Sequence, residues 1–147
     1  MPTAKYFDEV SQASMADWVG AVHWSNPYPV KLPGVAILGH PQGRMYNTRP
    51  GIAADWRKVF REAASREVAV ELDGNWHRQD IDFELARHAL DAGCIFALDS
   101  DAHGIGELRF SEYAIAHARL AGIPATRVIN CWSNEELADW MAERRRG

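Results

Sequence analysis

The stretch Cys94-Ile-Phe-Ala-Leu-Asp-Ser-Asp-Ala-His103 constrains this chain more than any other. Its mostly apolar first half, without polar alternation, reads as a strand buried on both faces, the pattern of a parallel sheet. It runs straight into Asp99, Asp101 and His103. Side chains at i and i+2 of an extended segment emerge on the same side. Asp101 would then offer a hard oxygen beside the imidazole nitrogen of His103, a donor mix that suits zinc, manganese or iron. A blander reading makes Asp99, Ser100 or Asp101 the N-cap of the next helix. The density of the Asp-Ser-Asp-Ala-His cluster favours ligation.

Strand and helix signals alternate along the rest of the chain. Apolar runs predict strands over residues 18–23, 35–39, 68–72, 94–98 and 127–130. Helical spacing predicts helices over 7–15, 52–66, about 80–93 and 106–121, the last ending at Gly122. A final helix opens on the capping box Ser133-Asn-Glu-Glu136 and buries Leu137, Trp140 and Met141. Its closing run Arg144–Arg146 complements the negative helix end and reads as that before it reads as a nucleic-acid patch. Residues 24–34 contain Pro27, Pro29 and Pro33 and are expected to be an extended connector that excludes helix.

Such alternation implies a parallel sheet whose site lies at the carboxyl ends of the strands. The histidines sort accordingly. His23, His40 and the Asp101–His103 pair fall at or just past strand ends, and His77 lies in a loop. His88 sits on a polar helical face, and His117 on an apolar one, as a packed core residue. Arg44 and Arg78 occupy strand-end loops. Either surface ion pairs or contacts to a phosphate would explain them. Glu71 is a partner to such a site or a plain structural acid.

At 147 residues the chain suits one domain. A net charge of −4 gives no electrostatic case for non-specific binding to DNA or anionic membrane. No apolar run approaches the ~20 residues needed to cross a bilayer, and the N-terminus carries no apolar signal region. Two cysteines, Cys94 and Cys131, are expected to be reduced core thiols in a cytoplasmic protein.

Gly39-His-Pro-Gln-Gly-Arg44, Val70-Glu-Leu-Asp-Gly-Asn75 with Arg78, and Leu98-Asp-Ser-Asp-Ala-His103 occur in an order that resembles the polymerase-and-histidinol-phosphatase (PHP) superfamily. They look most like the C-terminal PHP domain of bacterial X-family DNA polymerases. Asp17–His23, Ala114–Gly122 and Arg127–Asn130 add to the likeness. It implies a distorted β/α barrel with metal ions at its top, and hydrolysis of phosphomonoesters or phosphodiesters by metal-activated water, including 3′–5′ exonuclease-type action on nucleic-acid ends. Carried over, the metal ligands are His23, His40, Asp101 and His103, with Arg44 and Arg78 as the catalytic contacts to phosphate.

The likeness departs from the family at several points. The family's first ligands, a His-x-His on the first strand and a later His and Glu, have no counterpart. Trp76 stands where relatives favour Pro, and Asp73 where they favour Asn. The chain is therefore expected to be a single, N-terminally truncated PHP-like domain. It would be a partial barrel of about five parallel strands with helices on the outside, holding fewer zinc, manganese or iron ions than an intact one. Strand edges and an apolar inner face would be left open, so self-association or a partner chain completing the barrel is expected. The alternative function is a non-catalytic remnant acting through binding or assembly.

Overall fold

The computed structural model describes residues 28–31 and 33–146. The helix expected over 7–15 and the strand over 18–23, with His23 at its end, lie outside the described residues.

The first element among the described residues is α1 (Tyr28–Lys31), a single turn in the segment expected to exclude helix. Pro29 falls in its first turn, where a helix needs no N–H and the fixed φ of proline suits it. Three strands follow, β1 (Ile37–Leu38), β2 (Ala69–Asp73) and β3 (Phe96–Asp99). They form a parallel sheet in the order β1-β2-β3.

About five strands were expected; among the described residues three form, the sheet is open, and no barrel closes. Residues 127–130 show why. Val128 makes one parallel bridge to Phe96, and short 3-10 turns, Ala125–Arg127 and Ile129–Cys131, flank it. Beyond that bridge the Asn130 side chain takes over the pairing. Its Oδ1 accepts the Leu98 N–H at 2.8 Å and its Nδ2 donates to the Leu98 carbonyl at 2.9 Å. An amide side chain thus satisfies the edge of β3 that a further strand would have satisfied.

One face of the sheet carries three helices, α2 (Trp56–Ser65), α3 (Phe83–Asp91) and α4 (Ser111–Ala121). Val70, Leu72 and Phe96 point to this side and pack on Val59, Phe60, Ala63, Ala86, Ala89, Ala114 and Ala118. Fully burying side chains such as Phe60 and Phe96 stabilises the fold by about 1.5–3 kcal/mol each.

The alternate positions, Ala69 and Ala97, face the other way and are covered by α5 (Asn134–Arg146) through Trp140, with Leu137 and Met141 alongside. The Trp140 indole donates to the Glu67 carbonyl at 2.9 Å, and Arg144 pairs with Glu67 at 3.5 Å. The predicted capping box forms in full, Glu136 N–H to Ser133 Oγ at 3.2 Å and Ser133 N–H to Glu136 at 2.8 Å. Helices were expected only on the outside of a barrel; here α5 lies across part of the face that a barrel would enclose.

Helix starts shift for local reasons. α2 begins four positions later than residue 52 because the Ile52 N–H donates to Gln42 at 2.8 Å and Asp55 caps the helix at Lys58 N–H, 3.1 Å. The helix expected from 106 starts instead as a 3-10 turn, Ile105–Phe110, after Gly104 and through Gly106, both poor helix formers. Gly122, at φ 77°, closes α4 as predicted. Cys94 is buried, but Cys131 is exposed, contrary to its reading as a core thiol, because the final turn carries it off the sheet.

Gly74 is the tightest point between the sheet top and the helical layer. Its N–H donates to the Asp99 carbonyl at 3.0 Å. A Cβ there would sit 2.2 Å from the Phe110 carbonyl oxygen and 2.8 Å from that of Asp99. Gly74→Ala is therefore expected to push the β2 loop off β3 and to cost about 1–3 kcal/mol, read from the denaturant midpoint. An unchanged midpoint would contradict this close approach.

Candidate functional site

Parallel pairing brings acids together at the carboxyl ends of β2 and β3. Asp73 pairs with Asp99 and Glu71 with Ala97, so Glu71, Asp73 and Asp99 share the face on which Ala69 and Ala97 lie. Glu71 hydrogen-bonds Asp99 and also accepts the His40 backbone N–H. Burial, together with the Asp99 carboxyl beside it, pushes the Glu71 pKa up to about 9. Glu71 is therefore held toward its protonated form beside Asp99.

Asp73 is almost wholly enclosed. One oxygen accepts the Asn75 N–H at 2.7 Å; the other is buried without a hydrogen bond, 3.9 Å from Arg78 Nε. Burial and the charges of Asp101 and Asp99 raise its pKa to about 6, against the pull of the Asn75 N–H and Arg78.

Asp101 meets the Arg78 guanidinium at 3.0 Å and the Asn75 amide at 3.3 Å. It adopts φ 45°, so the chain has left the extended conformation that would have set Asp101 and His103 side by side. His103 instead folds back: its Nδ1 lies 2.9 Å from the Asp101 carbonyl oxygen, and its backbone N–H donates to Glu107 at 2.7 Å. A carbonyl only accepts, so Nδ1 is the donor in this contact, and Nε2 of the exposed ring makes no hydrogen bond among the described residues.

His40 is exposed at φ 28°, held through its backbone by Glu71. Arg44 donates to the Arg78 carbonyl at 2.7 Å, to Asp82 at 3.1 Å and to the Gln79 carbonyl, so its guanidinium clasps the loop before α3. Asp80, fully buried, accepts the Gln42 N–H at 3.0 Å and the Arg44 N–H at 3.3 Å, locking the His40 loop to the same segment. His88 is exposed on α3 and His117 half-buried against Phe83; neither joins the acids.

The structure thus gathers Asp101, His103, Arg78 and, through its backbone, His40 around the strand ends. His23 lies outside the described residues. Among the described residues no three His, Cys, Asp or Glu side chains assemble as they stand into a metal cluster. In chemical kind, though not assembled, the donors are ones a divalent cation takes: carboxylates, one with a buried oxygen that lacks a hydrogen bond, and an exposed imidazole.

Sequence reasoning missed Asp99 as the carboxyl beside Glu71, Asp73 as a buried acid and Asn75 as the amide holding Asp101. The i, i+2 spacing of Glu71 and Asp73 carried a signal. The register that places Asp99 opposite Asp73 is set across the sheet and has no local signature.

No family model matches the chain. It is similar, at 28% identity over 107 residues, to the DNA polymerase/3′-5′ exonuclease PolX of Bacillus subtilis (strain 168). The match covers 73% of this chain and 19% of that relative's length. No helix among the described residues is long and apolar enough to cross a membrane.

The raised acids make the metal-free protein pH-sensitive. Between an ordinary pKa of 4.5 and about 9, folded Glu71 keeps a proton that the unfolded chain has lost; Asp73 does so between 3.8 and about 6. Stability from these groups is full below the unfolded values and falls as pH rises through the folded ones. Without metal, the denaturation midpoint should drop between pH 5 and 9, and Glu71→Gln should flatten that fall. A midpoint that rises over this range in the wild type would contradict the buried, protonated Glu71.

Proposed function

We propose that this chain is a metal-dependent phosphoesterase that hydrolyses a phosphate ester, with a nucleic-acid 3′ end as the substrate suggested by the relative's name. The observation that carries the reading is the His103 ring. Its Nδ1 is tied to the Asp101 backbone carbonyl, which leaves Nε2 of the exposed ring as the nitrogen open to a ligand, the way metal-binding histidines are oriented. The similarity to a polymerase with 3′–5′ exonuclease activity supports the same reading.

His23, His40, Asp101 and His103 are the proposed ligands of a zinc, manganese or iron ion. When bound, the ion supplies Lewis acidity toward a phosphoryl oxygen and toward the attacking water. The remaining work falls to the chain. Asn75 keeps the Asp101 carboxylate oriented. Arg78, paired with Asp101 in the resting structure, is the guanidinium at the strand ends placed to exchange that carboxylate for a phosphate oxygen. Arg44, proposed beside it as a phosphate contact, has its donors on the Arg78 loop and acts through the placement of Arg78. Glu71, held toward its protonated form by burial, limits the negative charge that the phosphate meets.

A second reading, a non-catalytic relative acting by binding or assembly, is favoured by one observation: the Arg78–Asp101 ion pair occupies a proposed ligand. Elemental analysis of the purified chain, followed by hydrolysis assays with manganese on a phosphodiester and on single-stranded DNA, separates the two. The enzyme reading predicts bound metal and manganese-stimulated cleavage. His103→Ala should lower cleavage by about two orders of magnitude or more, while His88→Ala on the outer face of α3 leaves it unchanged. Absence of both metal and stimulated hydrolysis sinks the enzyme and leaves the binding role.

A further inference from the structure

The loop after β2 exposes a large aromatic side chain beside the proposed site. Trp76 is 49% exposed. Single exposed apolar residues are ordinary, but this one is backed by a second ring. The His77 imidazole lies against the indole with ring centroids 3.5 Å apart. The turn beneath them is fixed from several sides. His77 N–H donates to the Asn75 side-chain oxygen at 3.1 Å, and Arg78 N–H to the Asn75 carbonyl at 2.8 Å. The His77 carbonyl accepts the Tyr46 N–H at 2.8 Å, and Tyr46, exposed as well, lies under the Arg44 guanidinium at 5.1 Å. Trp76 therefore presents its surface to solvent from a turn whose backbone is fixed and with the His77 ring against it.

Its place is set by Asn75, the residue immediately before it, whose amide grips Asp101 at 3.3 Å. One peptide unit, about 3.8 Å between Cα atoms, separates the residue that orients a proposed ligand from the exposed indole. The strand ends are rich in carboxylates, and Arg78 is already paired, so a phosphate alone finds little attraction there. An uncharged π-face adds binding that acidic surroundings do not oppose, and every nucleobase can use it.

We propose that Trp76, braced by His77, is a base-stacking platform, so that the ligand of this site is a single strand carrying nucleobases next to the phosphate presented to the strand ends. The inference rests on the phosphoesterase reading for what happens to that phosphate; binding of the base does not require turnover.

The test is anisotropy of fluorescein-labelled oligothymidylate and of an abasic strand of equal length, titrated with the full chain, with EDTA and again with manganese. The wild type should bind the base-bearing strand about tenfold more tightly than the abasic one. Trp76→Ala should erase that difference and leave abasic binding unchanged, and Trp76→Phe should restore part of it. Equal affinity for the two strands in the wild type, binding to neither, or a preference that survives Trp76→Ala in a protein with native circular dichroism overturns the platform. The wild-type comparison stands even if the alanine variant fails to fold. Hydrolysis of both strands, followed separately, isolates the parent reading. A base preference without any cleavage defeats the phosphoesterase and keeps the platform; cleavage of both strands with equal affinity does the reverse.

Discussion

The top of this fold depends on one carboxylate that solvent never reaches. Asp80 accepts backbone N–H groups from Gln42 and Arg44, while its own carbonyl accepts the Asp73 N–H at 2.7 Å. Three segments far apart in sequence, the loop after β1, the end of β2 and the approach to α3, converge on that residue. Burial raises its pKa, opposed by the N–H donors and the Arg44 charge. An acid so enclosed persists only because these partners replace its water. Arg44 completes the clasp by bonding the Arg78 and Gln79 carbonyls and Asp82. With that segment fixed, Arg78 is held where it meets Asp101 and Asp73. His40, two residues before the first of the clasped amides, is carried to Glu71 by the same loop.

The sheet creates the second constraint. Parallel strands in this register set Asp73 directly opposite Asp99, with Glu71 on the same face. Like charges facing one another across a sheet are destabilising, and three devices relieve them here. Glu71 is held toward its protonated form by burial; Arg78 lies between Asp73 and Asp101; the Asn75 N–H donates to an Asp73 carboxylate oxygen. One Asp73 oxygen still lacks a hydrogen bond. The apolar lower half of the same face is free of this conflict, which is why Trp140 and the rest of α5 can pack there against Ala69 and Ala97.

Features written into consecutive residues were legible before any coordinates. The capping box at Ser133, the left-handed stop at Gly122, the apolar positions of α5 and the strand leading into Asp99 all depend on neighbours in sequence, and all form. What escaped depends on partners far along the chain. Asn130 looks like the end of a strand, yet its amide displaces the backbone pairing that a strand would make with Leu98. Ile52 falls on the helical period of α2 but hands its N–H to Gln42 across a loop. The side-by-side placement of Asp101 and His103 was read from an extended run that does not continue: positive φ at Asp101 ends it, and the His103 ring instead donates to the Asp101 backbone carbonyl.

Charge decides what the site can accept. Asp73, Asp99 and Asp101 lie close together with Arg78 as the cation paired among them, on a chain whose net charge is −4. A phosphodiester brought to these strand ends meets carboxylates before it meets a free donor, because Arg78 must first leave Asp101. A divalent cation held by Asp101 and His103 would change both terms at once: it would draw Asp101 away from the guanidinium and leave Arg78 unpaired at the edge where the phosphate arrives. Metal and substrate binding would then be coupled through one ion pair, with the guanidinium released only when its carboxylate has taken another partner. On this account the Arg78–Asp101 contact that speaks against a loaded site is also the element that makes phosphate binding conditional on metal.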